Sequence, residues 1–235
     1  MKKKLLAAVL LTATMILTNV FSVFAAETVD CTGWWAAHSS SVEVTEAGVK
    51  VTFHSVTYAD AANNWDTPIV VLYTADSTFA GGAGISDTTG YSEYYVVRSD
   101  SYGWTSANAT PAGTNTNDTP SIFTEKSAAD GAWDNFLANN KAGVDVTVTA
   151  KLEGSNAIIT IENNGIKTTS SIGVDASKPL YISLGGEHCT LTNITATSLA
   201  PETGDSNVIA YAAIAMLLSA ALGVAVFASR KKVTE

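Results

Sequence analysis

The feature that most constrains the fold is a series of short segments in which apolar and polar residues alternate between turn-forming residues. Successive side chains of a β-strand point to opposite faces, so this period of two predicts strands with one buried face. Nine such segments predict an all-β fold, a jelly-roll-like β-sandwich with one short helix. The predicted strands cover residues 42–44, 49–53, 68–73, 91–98, 144–148, 158–161, 166–171, 180–184 and 189–194.

Turn signals and local composition refine this pattern. Residues 46–48 and the pair Asn164-Gly165 each suit the turn of a β-hairpin. The continuous apolar run 68–73 is typical of a strand buried on both faces.

Two segments depart from the strand pattern. Residues 128–139 place Trp133, Phe136 and Leu137 on one helical face, so we expect a short helix there that covers the core. Residues 105–119 are rich in Ser, Thr, Asn, Gly and Pro and are expected to form a long loop.

The chain begins with the three zones of a secretory signal peptide. Three lysines, residues 2–4, precede a long apolar run. Val23 and Ala25 are compact residues of the kind that signal peptidase accepts before its cleavage site. We therefore predict a signal peptide over residues 1–26, cleaved after Ala25 or the next residue. The alternative is an uncleaved N-terminal anchor.

A second apolar stretch lies near the other end, at residues 208–228. It carries no charge, and about 20 residues at helical rise match the hydrocarbon thickness of a bilayer, so it predicts a transmembrane helix. Arg230, Lys231 and Lys232 follow in the tail 229–235, which we expect to be cytoplasmic because basic flanks stay on that side. The domain before the span is then expected outside the cell.

Residues 199–205 lie just before this span and contain Pro201, Glu202, Thr203 and Gly204. With the apolar span and basic tail, this segment resembles the LPxTG-type sorting signal that sortases read in Gram-positive bacteria. The resemblance implies that a sortase cleaves the Thr203–Gly204 bond and joins Thr203 to an amine of cell-wall peptidoglycan. The alternative is a single-pass membrane protein. In both cases we expect an extracellular protein.

The charge between these terminal segments limits the ligands that the protein can bind. Residues 27–204 contain 7 Lys and Arg against 20 Asp and Glu, a net charge of −13. Such a surface repels phosphate backbones and anionic glycans, so nucleic acid and heparin-like chains are not expected as partners. Neutral polymers remain as ligands of the single domain predicted over residues 27–198.

Two cysteines and three histidines bear on redox and metal chemistry. Cys31 and Cys189 lie at opposite ends of the domain, and in an exported protein such a pair favours one disulfide over two separate thiols. The histidines, His38, His54 and His188, show no metal-ligand spacing. No metal or other cofactor is predicted. Asp and Asn are plentiful enough for a structural calcium ion, but no spaced ligand loop supports one.

Motifs for catalysis are missing from the sequence. There is no Gly-x-Ser-x-Gly, no phosphate-binding glycine loop and no His-Glu-x-x-His. A glycosidase needs two carboxylates that face each other across the scissile bond. Asp60, Asp66, Asp100 and Asp134 qualify by residue type alone, so we predict that the protein is not an enzyme.

The five tryptophans are many for a domain of this size, and several stand beside short polar residues. The apolar face of a sugar ring stacks on an indole, while its hydroxyls bind planar polar groups at the ring edge. A single Trp is more often core than platform, and the adjacent Trp34 and Trp35, expected on a strand, should include at least one core residue. Arg98 and Asp100 can equally form a structural ion pair. The predicted glycan-binding residues are Trp35, His38, Asn64, Trp65, Arg98, Asp100 and Trp104, with Trp65 and Trp104 as stacking platforms.

Residues 30–39, which begin Asp-Cys-Thr-Gly-Trp-Trp, and residues 95–104 carry linked Trp, Arg and Asp positions. With residues 133–136 and 186–191, they resemble a carbohydrate-binding-module-like β-sandwich domain of glycan-utilisation proteins from gut bacteria. The resemblance implies a β-sandwich and a glycan ligand. Because this chain has no catalytic domain, it further implies a capture protein that holds polysaccharide for separate enzymes.

Together these features predict a cell-surface protein that captures a neutral polysaccharide. The alternative is a protein-binding adhesin or a structural wall protein that uses a sandwich face or an edge strand. The two hypotheses differ in where the indoles lie. Exposed Trp65 and Trp104 on one concave face favour the glycan, whereas five buried indoles favour the adhesin.

Overall fold

A computed structural model describes residues 27–116 and 121–199 of the chain. The predicted signal peptide, transmembrane segment, basic tail and all but the first residue of the sorting motif lie outside these ranges. Within them, no helix combines the length and the apolar character needed to cross a membrane. The strands are β1 (Val29–Cys31), β2 (Val42–Glu43), β3 (Val49–Thr57), β4 (Pro68–Thr74), β5 (Ser92–Arg98), β6 (Tyr102–Thr105), β7 (Asn115–Thr116), β8 (Phe123–Ala128), β9 (Val144–Glu153), β10 (Asn156–Asn163), β11 (Ile166–Gly173), β12 (Leu180–Gly186) and β13 (Cys189–Ser198), and the α-helix α1 is Phe136–Ala142.

The strands form two antiparallel sheets. The seven-stranded sheet has the order β1-β13-β3-β9-β10-β11-β8, and the six-stranded sheet has the order β2-β12-β4-β5-β6-β7. The two sheets share one buried apolar cluster, which holds Val51 of β3, Leu72 of β4 and Ile182 of β12. The predicted all-β sandwich is therefore confirmed.

Alternation along single strands fills the space between the sheets. In β3, Val51 and Phe53 are buried whereas Lys50 is exposed, and the same alternation runs along β10 and β11. Full burial of one such aliphatic or aromatic side chain contributes roughly 1.5–3 kcal/mol. Because every second side chain must be buried, apolar residues occur at every second position of these strands in the sequence.

β4 is buried along its whole length, as its continuous apolar sequence predicted. Val70 and Leu72 face the interior, whereas Ile69, Val71 and Tyr73 lie on the opposite face of the six-stranded sheet. On that face they form what we call the outer cluster, with Ala75, Ile85, Val96 and Tyr181, and the partly buried side chains that cover it are Trp35, Phe79, Tyr91 and Trp104.

One predicted hairpin is confirmed and the other is wrong. Asn164 and Gly165 both have positive φ (47° and 82°), as a type I′ turn requires, and they join β10 to β11. In contrast, β2 pairs with β12 whereas β3 pairs with β13 and β9, so residues 42–53 do not form a hairpin. The turn closed by the Gly48 N–H and the Thr45 carbonyl (3.0 Å) carries the chain between sheets.

The predicted helix over residues 128–139 is displaced toward the C-terminus. α1 begins only at Phe136, and Gly131 in the preceding turns has φ 72°, a conformation that an α-helix does not contain. Trp133 and Phe136 pack together against Ile166 and provide the expected cover. The predicted long loop is also interrupted, by β7.

The two cysteines lie directly opposite each other in the β1–β13 pair. Both are fully buried and are free thiols in this structure, and the disulfide between them stays a prediction. A hydrogen bond with Cys31, together with burial, raises the pKa of the Cys189 thiol. Opposed residues of antiparallel strands have Cα atoms about 4.5–5.5 Å apart, which is a separation that a disulfide spans.

We expect the protein secreted into an oxidising medium to contain the Cys31–Cys189 disulfide. The bond would close nearly the whole domain, for which chain-entropy estimates give about 4–5 kcal/mol of stabilisation. Intact mass should then be two hydrogen masses below that of the reduced chain, and a variant with both cysteines replaced by serine should unfold at a lower temperature. Two reactive thiols in denatured, unreduced protein would contradict this prediction.

Candidate functional site

An open groove of about 450 Å³ lies at the margin of the outer cluster, with which it shares Trp104. This volume is within the range of small-molecule sites. Five parts of the chain contribute to it: the turn after β1, the loop before β4, the β5–β6 hairpin, β7 and the β12–β13 connection. The lining residues are Trp34, Trp65, Arg98, Tyr102, Trp104, Asn115 and Glu187.

One wall of the groove is a row of neighbouring planar groups, in which adjacent aromatic rings are tilted by 36° and 48° to each other. The Arg98 guanidinium lies 4.6 Å from the centroid of the Tyr102 ring. The Tyr102 and Trp104 rings are 6.2 Å apart, and Trp34 continues the row at 5.2 Å from Trp104. Because each ring contacts the next, the row is held in place before any ligand arrives.

The β5–β6 hairpin orients this wall. Tyr102 and Trp104 are two residues apart on β6, so their side chains point to the same face of the sheet. Gly103 between them points inward, where a Cβ would collide with the ring of Tyr95. The Tyr95 hydroxyl is in turn hydrogen-bonded to Ser170 of the opposite sheet (2.8 Å).

The charge of Arg98 is balanced within the protein. Its Nε and Nη2 donate to the two carboxylate oxygens of Asp100 at 2.9 and 2.7 Å. Burial raises the pKa of Asp100, and the hydrogen bonds from Arg98 oppose that shift. Arg98 therefore presents a flat, neutralised surface to the groove rather than an unpaired cation.

Trp65 projects from a loop that its neighbour Asp66 holds in shape. Asp66 is 3% exposed, and its Oδ2 accepts hydrogen bonds from the backbone N–H groups of Ala62 (3.0 Å) and Asn63 (2.9 Å). Its Oδ1 lies 3.2 Å from Nδ1 of His188. With its base fixed in this way, the Trp65 side chain remains 50% exposed.

The contact between Asp66 and His188 shifts the pKa of both groups. Burial alone would raise the pKa of Asp66, but the hydrogen bonds from Asn63, His188 and Ala62 outweigh it and lower the pKa below its ordinary value. The hydrogen bond to Asp66, with the nearby charge of Glu187, raises the pKa of His188.

Asp66, Glu187 and His188 also form a group whose side-chain donor atoms all lie within 4.8 Å of one another. Two carboxylates and an imidazole can hold a divalent cation. The sequence predicted no metal site because His188 and Asp66 are 122 positions apart, so no ligand spacing is visible along the chain.

Of the seven predicted site residues, three line the groove, two lie next to it, and Trp35 and His38 pack beneath its wall. Trp65, Arg98 and Trp104 line the groove, and Asp100 adjoins it through Arg98. Asn64 is exposed beside Trp65 but outside the lining.

Trp35 and His38 pack under the groove wall instead of lining it. Trp35 has φ 62° in a turn, not a strand, so the expected alternation of Trp34 and Trp35 across a strand is wrong. The Trp35 ring stacks on His38 at 4.8 Å and meets Trp34 edge-on at 6.1 Å. His38 is 1% exposed with no hydrogen-bond partner for its ring among the described residues, and burial lowers its pKa to about 4.

Sequence reasoning missed four lining residues: Trp34, Tyr102, Asn115 and Glu187. Tyr102 could have been found, because it stands two residues before Trp104 on a short strand. Trp34 and Glu187 lie in segments that carry the family resemblance but were not predicted as binding residues, and Asn115 carried no local signal.

The indoles are not buried in the interior. Trp34 is 40% and Trp65 50% exposed, and Trp104 is partly exposed on the same groove. Of the carboxylates considered for catalysis, Asp66 and Asp100 are held by hydrogen bonds within the protein. Asp60 and Asp134 are exposed and lie outside the groove lining.

No model of a known protein family matches the sequence, and no curated protein matches it. Among solved structures, the Ca²⁺/Man-bound form of the VIP36 exoplasmic/lumenal domain is similar, with a TM-score of 0.36 and 10% identity over 74% of this chain and 83% of that chain. A legume lectin-like domain from Entamoeba histolytica has a TM-score of 0.33 and 10% identity over 73% of this chain and 87% of that chain. These likenesses assign neither a family nor a ligand to this chain.

The His188–Asp66 pair should stabilise the protein most at mildly acid pH. The folded-state pKa of His188 is raised above 6.5, so its contribution is complete below that pH and is lost as pH rises through the raised value. The folded-state pKa of Asp66 is lowered below 3.8, so its contribution is complete above that pH and is lost as pH falls through the lowered value.

A double-mutant cycle with His188→Gln and Asp66→Asn, followed by urea unfolding, measures this coupling. We expect the coupling free energy to be larger at about pH 5 than at about pH 9, because the contribution of His188 is lost as pH rises through its raised pKa. Equal coupling at the two pH values would show that the contact is not an ion pair.

Proposed function

We propose that this chain is a non-catalytic protein of the bacterial cell surface that captures a neutral polysaccharide in the groove. The observation that carries the proposal is the row of neighbouring, partly exposed aromatic side chains, Tyr102, Trp104 and Trp34, with Trp65 on the same groove. Bare indole faces are costly in water unless a ligand covers them.

Sugar rings fit such a surface for a specific physical reason. A pyranose ring has apolar C–H faces that stack on indole, while its hydroxyls point outward in the ring plane. Asn115 and Glu187 supply an amide and a carboxylate at the groove, the polar groups that bind ring hydroxyls. The adhesin hypothesis expected buried indoles, so the exposure of Trp34 and Trp65 does not favour it.

Charge supports a neutral chain over an anionic one. The one basic side chain in the groove lining, Arg98, is neutralised by Asp100. Residues 27–204 carry a net charge of −13, which repels anionic polymers. Among polysaccharides, those without acidic groups are therefore the ligands that the groove accepts at least electrostatic cost.

The location is proposed from the ends of the sequence. A signal peptide over residues 1–26 exports the chain, and the sorting signal at residues 199–205 lets a sortase join Thr203 to peptidoglycan. Before that step, the apolar segment 208–228 holds the chain in the membrane. Wall attachment would present the groove to polymers outside the cell.

Replacing Trp104 or Trp65 by alanine should weaken retention in affinity gels that contain a bound polysaccharide. Stacking contributes about 1 kcal/mol or more beyond burial of area, which corresponds to roughly fivefold weaker binding or more. Trp133→Ala is the matched control, because Trp133 packs on Phe136 beside the seven-stranded sheet. Unchanged retention in folded Trp104 and Trp65 variants would remove these residues from the site.

Expression of the full chain in a sortase-containing host tests the proposed location. We expect the protein in the cell-wall fraction, with a C-terminus at Thr203 joined to a peptidoglycan fragment after wall digestion. The Thr203→Ala variant should move to the membrane fraction, because the cleaved peptide bond loses the side chain that sortase reads. Recovery of both proteins in the membrane fraction would contradict wall attachment.

A further inference from the structure

The carboxylate of Glu187 has no hydrogen-bond donor among the residues that the structure describes. Its side chain is 19% exposed and lines the groove. Oε2 is enclosed and accepts no hydrogen bond. Oε1 lies 3.8 Å from Nδ1 of His188, which is too long for a hydrogen bond.

An enclosed carboxylate oxygen without a donor is energetically costly. Removing a charged acceptor from water without replacing its hydrogen bonds costs more than the same loss for a neutral group. The other acidic group at this place, Asp66, shows the usual solution, since backbone N–H groups satisfy it. Because the Glu187 side chain lines the groove, a ligand bound there can supply donors that the described residues do not.

We propose that Glu187 selects the ligand by accepting hydrogen bonds from two neighbouring free hydroxyls of a sugar ring that stacks on the aromatic wall. This inference rests on the proposed function of the groove. A carboxylate has two oxygens and only accepts, so it pairs with two O–H donors, and charge-assisted bonds of this kind are short and strong. Glu187 is thus a specificity-determining residue that the sequence did not single out.

The consequence is selection for unsubstituted sugar chains. A site built to bind a hydroxyl strongly rejects an analogue that lacks it, because the buried polar group is then left without a partner. Methylation or acetylation of the hydroxyls removes the donors and adds bulk beside the enclosed oxygen. The groove therefore takes neutral polysaccharides with free ring hydroxyls and rejects substituted forms of the same chain.

Two other occupants of the Glu187 position make different predictions. A divalent cation would bind Glu187 together with Asp66 and His188, and glycan retention would then depend on the metal. An ammonium group of an amino sugar would pair with the carboxylate directly, and a polymer bearing free amino groups would bind best. The experiment below separates both from the hydroxyl pair.

The test is affinity electrophoresis of the purified domain in gels containing mixed-linkage β-glucan, glucomannan, xylan or amylopectin, each also in a partly O-methylated form. A chitosan gel is included, and every gel is run with and without EDTA. Wild type is compared with Glu187→Gln, which keeps the size of the side chain but loses the charge and one acceptor oxygen. Glu153→Gln, at an exposed position at the end of β9, is the matched control.

We expect wild type to be retarded at least about tenfold more strongly by one native polymer than by its methylated form, as the loss of hydrogen bonds to a charged group implies. Glu187→Gln should bind that polymer roughly tenfold more weakly and discriminate little between the two forms, with an unchanged melting temperature. Glu153→Gln should behave as wild type.

Each other outcome overturns the inference in a recognisable way. Equal retardation by native and methylated polymer, or by wild type and Glu187→Gln, removes Glu187 as the selecting residue while leaving the proposed function intact. Loss of retardation in EDTA with recovery on adding Ca²⁺ or Zn²⁺ assigns Glu187 to a cation. Strongest retardation by chitosan assigns it to an ammonium group. Retardation by none of the polymers rejects the proposed function, and the inference with it.

Discussion

The structure depends on shielding both faces of the six-stranded sheet from water. Its inner face packs against the seven-stranded sheet, but its outer face, around Val71 and Tyr73, meets no further sheet within the described residues. The turn after β1 and the segment between β4 and β5 cover it instead, with Trp35 and Phe79. Trp104 belongs to this cover but stays partly exposed, so the packing that completes the fold also leaves an indole face at the groove.

Local signals in the sequence located nine of the thirteen described strands but did not determine how the strands pair. The alternation along β3 and β10 is a property of each strand by itself, so it could be identified without knowing the partner strands. The false hairpin across residues 42–53 has the same local pattern as a true one, and only the distant strands β12 and β13 decide that β2 and β3 separate. Strands as short as β1 and β7 contain too few residues to show any period.

The site was predicted in part: Trp65, Arg98 and Trp104 were predicted and line the groove. Arg98 and Trp104 lie six residues apart on one hairpin, which residue type and spacing could reveal. Glu187 and Trp34 lie in segments that carry the family resemblance, but they reach the groove from distant parts of the chain and were not predicted as binding residues. Trp35 and His38 were assigned to binding because their side chains suit both stacking and packing. The positive φ of Trp35, which turns its ring onto His38 rather than into the groove, has no signature in the sequence.

The proposed wall attachment would compensate for the weak binding expected of a single open groove. An open groove leaves one side of a bound sugar chain in water, so a single domain gains only part of the available binding energy. If many copies of the domain were attached to one cell wall, they would meet many repeats of the same polymer. After the first contact the next is intramolecular, which raises the overall affinity by about 10²–10⁴ when the geometry allows both contacts. Each contact still breaks quickly by itself, so the polymer remains accessible to other proteins.

A deep pocket that encloses a chain end would bind more tightly per domain but would meet only one site per polymer. For holding a long neutral chain at a surface, repeated shallow contacts are therefore the more effective physical arrangement.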